Sequence, residues 1–108
     1  MTMKIFSKTI YKNPVLDENV ADPTIWKAGK TFYLFYTGNF TGHIYSSSDM
    51  INWNDVGFCP FDRETISQLE SIAKEYNSEP VIYAPTVVKN GDKYLMYISI
   101  TWKCICVL

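Results

Sequence analysis

Two Xaa-Pro steps set apart a residue that could do chemistry from one that could not. Asp22 precedes Pro23, and 62 residues later Ala84 precedes Pro85. The backbone task is the same at both places, and alanine suffices for it at the second. The carboxylate of Asp22 is therefore not required by the turn alone and is the first candidate for chemistry. A plainer alternative is an Asp-Pro turn whose carboxylate bonds nearby backbone N–H groups. The sulfur and imidazole groups point elsewhere. Three cysteines, Cys59, Cys104 and Cys106, make no disulfide framework, and their odd count argues for a reducing compartment. Cys104-Ile105-Cys106 is not a zinc pair, because the chain has one histidine, His43, and no second CxxC. Neither a metal nor a cofactor is expected.

Asp22 must be positioned by the elements around it. Residues 1–13 read as an extended lead-in. Asn13-Pro14 and Asp22-Pro23 mark non-helical backbone, since a residue before proline is pushed towards extended conformations. Thr24-Ile25-Trp26-Lys27 reads as a short strand, followed by a turn centred on Gly29. Thr31 to Thr37 is apolar almost throughout, which suits a strand buried on both faces. Thr41 to Ser47 and Trp53 to Phe58 read as third and fourth strands around a polar-edged turn at 48–52. Four short strands in series make an antiparallel meander. Residues 62–77 break the rhythm. Asp62 caps a helix whose apolar positions Ile66, Leu69, Ile72, Ala73 and Tyr76 share one face, with Ser67, Glu70, Lys74 and Glu75 mostly opposite. This spacing predicts a surface helix packed on the rim of the strands.

The strand pattern then returns. Pro23-Thr24-Ile25-Trp26-Lys27-Ala28-Gly29 is matched by Pro85-Thr86-Val87-Val88-Lys89-Asn90-Gly91, and Lys30 to Thr37 by Asp92 to Ser99. Such self-similarity is the mark of a repeat architecture. With about four strands per unit, the unit is a propeller blade. The helix at 62–77 accounts for the excess over a blade of ~40–50 residues. The expected fold is all-β, with repeat units at about 23–58 and 85–99 and one helical insertion. The innermost strand of each blade lines the channel, so Asp22 stands at a channel mouth. A propeller needs roughly 4–8 blades, whereas this chain holds one and the first two strands of another. Its tail, Ile100 to Leu108, lacks the expected turn, and the expectation is a truncation near residue 101. The alternative is a short protein with an apolar C-terminal strand.

Composition excludes other classes. The chain is 47% hydrophobic and 16% aromatic, too apolar for disorder. A net charge of -1 gives no electrostatic case for nucleic acid or an anionic membrane surface. Eight tyrosines, six phenylalanines and three tryptophans favour strands and aromatic-lined surfaces. Met1 to Lys8 holds no apolar stretch of secretory type, and no segment approaches a membrane span. With no export signal visible the chain as it stands reads as cytoplasmic, but the sequence assigns it no definite location.

Several segments together resemble glycoside hydrolase family 43. They are Asn13-Pro14-Val15-Leu16, Ala21-Asp22-Pro23-Thr24-Ile25 and Gly29-Lys30-Thr31-Phe32-Tyr33-Leu34. Ile44 to Trp53 follows, resembling the family's "S-x-D-L-x-x-W" stretch, and Tyr83-Ala84-Pro85-Thr86-Val87 resembles its "W-A-P-x-V". The resemblance covers about residues 13–99 and extends to the wider arabinanase, levansucrase and invertase superfamily. It implies a five-bladed β-propeller, of which this chain covers blade one and the start of blade two. It also implies hydrolysis of O-glycosyl bonds by inversion, in plant-type poly- or oligosaccharides containing arabinose or xylose. Asp22 matches the family's general base. The second aspartate and the glutamate acid belong to later blades, and Glu64, Glu70, Glu75 and Glu79 match no family motif. Tyr83 stands where the family has a tryptophan beside a sugar subsite, as a candidate substrate-binding residue. Asp49 and Trp53 read as structural, and His43 as a surface residue without a catalytic role.

Two further readings compete. One is a non-catalytic carbohydrate-binding β module, or a pseudogene remnant, using Tyr83, Trp26 and Phe40. The other is an interaction propeller, against which the lack of a WD signature argues.

Overall fold

Two glycines set the first pairings. Gly29 and Gly91 carry φ of 62° and 65°. Each opens a two-residue loop, between the pairs Ala28↔Thr31 and Asn90↔Lys93. A positive φ at the first loop residue matches the twist of a tight hairpin and is cheapest for glycine. A computed structural model describes residues 11–40, 42–57, 61–101 and 104–108 of the chain. Strand β1 (Ala21–Ala28) pairs antiparallel with β2 (Thr31–Asn39). β3 (Tyr45–Ser47) and β4 (Asn54–Asp55) follow on the other side of β2. After helix α1 (Arg63–Glu75), β5 (Val81–Asn90), β6 (Lys93–Thr101) and β7 (Cys104–Val107) form a second antiparallel meander. A short ladder, Gly38↔Ile82 and Asn39↔Val81, joins the two. The chain is mostly β, with a single helix among the described residues.

The third and fourth strands are shorter than the alternation suggested. The Gly42 N–H bonds the carbonyl of Asn39 at 3.0 Å, so the chain is still turning at Gly42, and β3 begins only at Tyr45 within the span 41–47 that was read as strand. At the other end the Asp55 carboxylate accepts the Gly57 N–H at 2.7 Å, and Gly57 has φ 82°, which closes β4 early. Phe58 and Cys59 lie outside the described residues. The second meander, in contrast, has more than the two strands expected of it. β7 pairs with β6 through Tyr97↔Val107, Ile98↔Cys106 and Ser99↔Ile105. Leu108 and Met96 then exchange backbone hydrogen bonds of 2.8 and 3.0 Å. The apolar, β-branched tail thus satisfies the open edge of β6.

Helix α1 starts where a carboxylate can take its orphan amides. Asp62 accepts the Thr65 N–H at 2.8 Å, and Glu64 and Lys74 complement the helix dipole. The other end is a Schellman motif: Ser78 N–H bonds the Ala73 carbonyl, Asn77 N–H bonds that of Lys74, and Asn77 takes φ 52°. Leu69 and Ala73 are buried, with Ile66 and Ile72 packed beside them. Tyr76 was expected on that face but is exposed, because it is the C-cap and the chain leaves the helix there.

The core lies between the two meanders and is closed by α1. Phe35 from β2, Leu69 from α1, Ile82 from β5 and Ile98 and Ile100 from β6 are almost wholly buried. Phe61 meets Phe35 edge-on at 5.7 Å, and Trp26 stacks on Tyr33 at 5.7 Å. Among the described residues no helix is long and apolar enough to cross a membrane.

Candidate active site

The site begins with a repeated irregularity. In β1 the register steps from Ala21↔Thr37 to Thr24↔Phe35, and in β5 from Tyr83↔Ser99 to Thr86↔Tyr97. Three steps on one strand oppose two on the other, which is a β-bulge in each case. The residues in the bulges are Asp22-Pro23 and Ala84-Pro85. Asp22 has φ 48° and Ala84 has φ 44°. The residue before proline was expected to be extended, and here it is left-handed instead. The ladders on either side, with one more residue on β1 and β5 than on their partners, override the preference set by proline. Aspartate tolerates this conformation better than alanine does, so its recurrence at Ala84 shows that the fold imposes it. A bulge of this kind re-aims a side chain at a sheet edge, and Asp22 is exposed.

Hydrogen bonds tie the two bulges together. The Thr37 hydroxyl on β2 donates to Asp22 Oδ2 at 3.0 Å. The backbone N–H of Ala84 donates to the same hydroxyl at 2.8 Å. Further along, the Val87 N–H donates to Thr24 Oγ1 at 3.3 Å, and the Tyr94 hydroxyl to the Lys27 carbonyl at 2.9 Å. Strands β1 and β5 are thus joined edge to edge by side chains of β1, β2 and β6. Tyr83 precedes the bridging amide and is 43% exposed. Of the sequence-derived candidates, Asp22 is thus one end of a three-residue contact, Asp22–Thr37–Ala84, and Tyr83 is the chain neighbour of its other end. Thr37 was not singled out from sequence. Its signal was present in the repeat, where it matches Ser99, a second hydroxyl at the same register.

The remaining polar candidates serve local structure. Asp49 accepts from the N–H groups of Asn52 and Ile51, from the Asn52 side-chain amide and from the Ser47 hydroxyl, all at 2.8 to 2.9 Å. These bonds hold its carboxyl well below the ordinary value of 3.8, the Asn52 N–H contributing most. Met50 takes φ 63° in the same turn, and the Trp53 ring N–H donates to the Met50 carbonyl at 3.1 Å. His43 Nδ1 and Asp55 Oδ2 lie 2.8 Å apart at the surface. The hydrogen bond from His43, then the Gly57 N–H, lowers the Asp55 pKa. Glu64, Glu70 and Glu75 sit exposed on α1, and Glu79 is exposed just before β5. Among the described residues no group of three His, Cys, Asp or Glu side chains could hold a metal ion. A cleft between α1 and the strands, lined by Trp26, Phe61, Asp62, Gln68 and Tyr94, includes neither Asp22 nor Tyr83. It is a groove beside the core, without the bulge chemistry.

The profile of a family described as "Glycosyl hydrolases family 43" matches residues 11–106, which takes in both bulges, the Asp49 turn, α1, β5, β6 and most of β7. The chain belongs to glycosyl hydrolase family 43. Solved structures agree on the fold. An α-L-arabinanase from Cellvibrio cellulosa, solved in complex with arabinohexaose, is similar with a TM-score of 0.60 and 24% identity. The match covers 82% of this chain and 28% of that one. A family 43 endo-arabinanase from Bacillus licheniformis is 27% identical with a TM-score of 0.57, over 82% of this chain and 31% of that one. A thermostable family 43 glycoside hydrolase reaches a TM-score of 0.63 at 20% identity, over 91% of this chain and 30% of that one. This family 43 chain spans less than a third of the length of each. Its two meanders are accordingly blade one and part of blade two of a β-propeller.

Proposed function

We propose that this chain supplies the general-base side of an inverting glycosidase site for arabinose-containing poly- or oligosaccharides. The observation behind this reading is Asp22, raised on a bulge at the mouth of an innermost strand, where its repeat partner is the inert Ala84. Among the described residues its carboxylate accepts one hydroxyl, from Thr37 on the neighbouring strand, and none of the nearby backbone N–H groups that an Asp-Pro turn would use. It therefore keeps acceptor capacity for a water. In inversion a carboxylate takes the proton of a water as that water attacks the anomeric carbon, while a carboxylic acid on the opposite face protonates the departing oxygen. The two carboxyl groups of such a pair stand about 6.5–9.5 Å apart. Asp22 takes the base role. The acid and the second aspartate are assigned to blades outside these 108 residues. Tyr83, exposed beside the Ala84 amide, offers a ring face for a sugar. The arabinanase neighbours favour arabinose over xylose.

The test is Asp22→Asn in the protein with all its blades, assayed on arabinan and arabinohexaose. Turnover should fall by roughly 10²–10⁴-fold, with binding of the oligosaccharide and thermal stability retained. The 108 residues by themselves should show no hydrolysis. Full activity in the Asn variant would remove Asp22 from the mechanism. Sugar binding by the 108 residues without any turnover in the longer protein would favour a binding module.

A further inference from the structure

The Asp22–Thr37–Ala84 contact has a direction that its atoms impose. A hydroxyl has one proton to give and two lone pairs to accept with. The Ala84 amide can only donate, and it does so into Thr37 Oγ1 at 2.8 Å. An ionised carboxylate can only accept, and Asp22 Oδ2 lies 3.0 Å from the same oxygen. The proton of Thr37 has one place to go along this chain of bonds. A hydroxyl polarised by an incoming N–H is also a stronger donor. Asp22 is exposed and would otherwise sample several rotamers. The donor that restrains it is anchored in turn by the backbone of the second blade, at a residue held in a strained conformation.

We propose that Thr37 is the positioning residue for Asp22. Locked by the Ala84 amide of blade two, its hydroxyl holds one oxygen of the carboxylate and leaves the other aimed at the attacking water. This inference rests on the reading of Asp22 as the general base. It makes the geometry of a base on blade one depend on the seating of blade two. The hydroxyl at the corresponding register of the second repeat is Ser99, opposite Tyr83 as Thr37 is opposite Ala21. There the bulge residue is Ala84, so no carboxylate needs holding. A purely structural role for Thr37, stitching one blade to the next, is the rival account.

The experiment compares Thr37→Val, Thr37→Ser and Asp22→Asn in the protein with all its blades. kcat and KM are measured on arabinohexaose, and thermal unfolding is followed in parallel. Valine keeps the shape and loses the hydroxyl, whereas serine keeps the hydroxyl. Positioning predicts that Thr37→Val lowers kcat roughly 10- to 100-fold, the scale of a displaced catalytic group, while KM changes little. Thr37→Ser should restore most of the rate. Thr37→Val should lower the residual rate of Asp22→Asn no further, because the group it positions is gone. If Thr37→Val does not fold, Thr37→Ala is the second variant, read as rate per folded molecule. An unchanged kcat, a rate loss accounted for by unfolding, or failure of serine to restore turnover would overturn the proposal. Full activity of Asp22→Asn would instead remove the base reading on which it rests.

Discussion

Asp22 and Asp49 have the same side chain and opposite surroundings. Asp49 accepts four donors, three of them from Ile51 and Asn52 two and three residues on and one from Ser47. Asp22 accepts one, from a residue fifteen positions away on another strand. The first carboxylate is committed to its own turn, and the second is held with capacity to spare. The difference has a pH consequence. The Asp49 pKa is depressed in the folded chain, so the stabilisation is present above the ordinary value of 3.8 and is lost as pH falls through the lower folded value. Asp49→Asn should therefore melt at a lower temperature than the parent at pH 7. The gap should narrow as pH is taken below about 4, the unfolded carboxylate range. Thermal unfolding at pH 7 and pH 2.5 measures both. An unchanging gap would show that shape rather than charge holds the turn.

At the scale of elements, the hairpins and the helix are stabilised differently. The hairpins rest on Gly29 and Gly91, whose positive φ falls at the first loop position. The helix has a carboxylate cap and a Schellman end, but caps orient a helix and do not dock it. Docking comes from Leu69 and Ala73, which enter the core beside Phe35 and Ile98. Leu69→Ala should cost about 2–5 kcal/mol, as for other buried leucines cut to alanine. Gln68→Ala, one position along on the exposed side, should shift stability by less than about 0.5 kcal/mol. Urea titrations followed by far-UV circular dichroism would resolve the two. Equal effects would mean that α1 is not seated through Leu69.

Across the whole molecule, one core serves two blades. Ile82 has no measurable exposure and sits in the ladder that joins β2 to β5. Removing its side chain should loosen both meanders at once. Ile82→Ala is expected to cost about 2–5 kcal/mol while leaving a single unfolding transition. Fluorescence of the blade-one tryptophans and the helical circular dichroism signal should be lost at the same temperature. Two separate transitions would show that the blades fold independently. In the proposed mechanism the same arrangement bears on function, because the hydroxyl that meets Asp22 is itself held by an amide of the second blade.

Local pattern determined a good part of this protein. Apolar runs between glycine turns set β1, β2, β5 and β6. The spacing of Ile66, Leu69, Ile72 and Ala73 after Asp62 set α1, and the matched segments 62 residues apart announced repeated blades. These features are legible because each depends on neighbours within a few residues or on copying. The contrast of Asp22 with Ala84 singled out the carboxylate for the same reason. Other features required the tertiary structure. The brevity of β3 and β4 depends on where Gly42 and Asp55 find partners. The strand formed by Cys104–Val107 depends on an open edge of β6. The left-handed turn at both Xaa-Pro steps runs against the local preference and is imposed by the ladders on either side. The Thr37 bridge joins residues 15 and 47 positions apart in the chain: the register of the β1–β2 hairpin brings Thr37 to Asp22, and only packing of one blade on the next brings the Ala84 amide within hydrogen-bond reach.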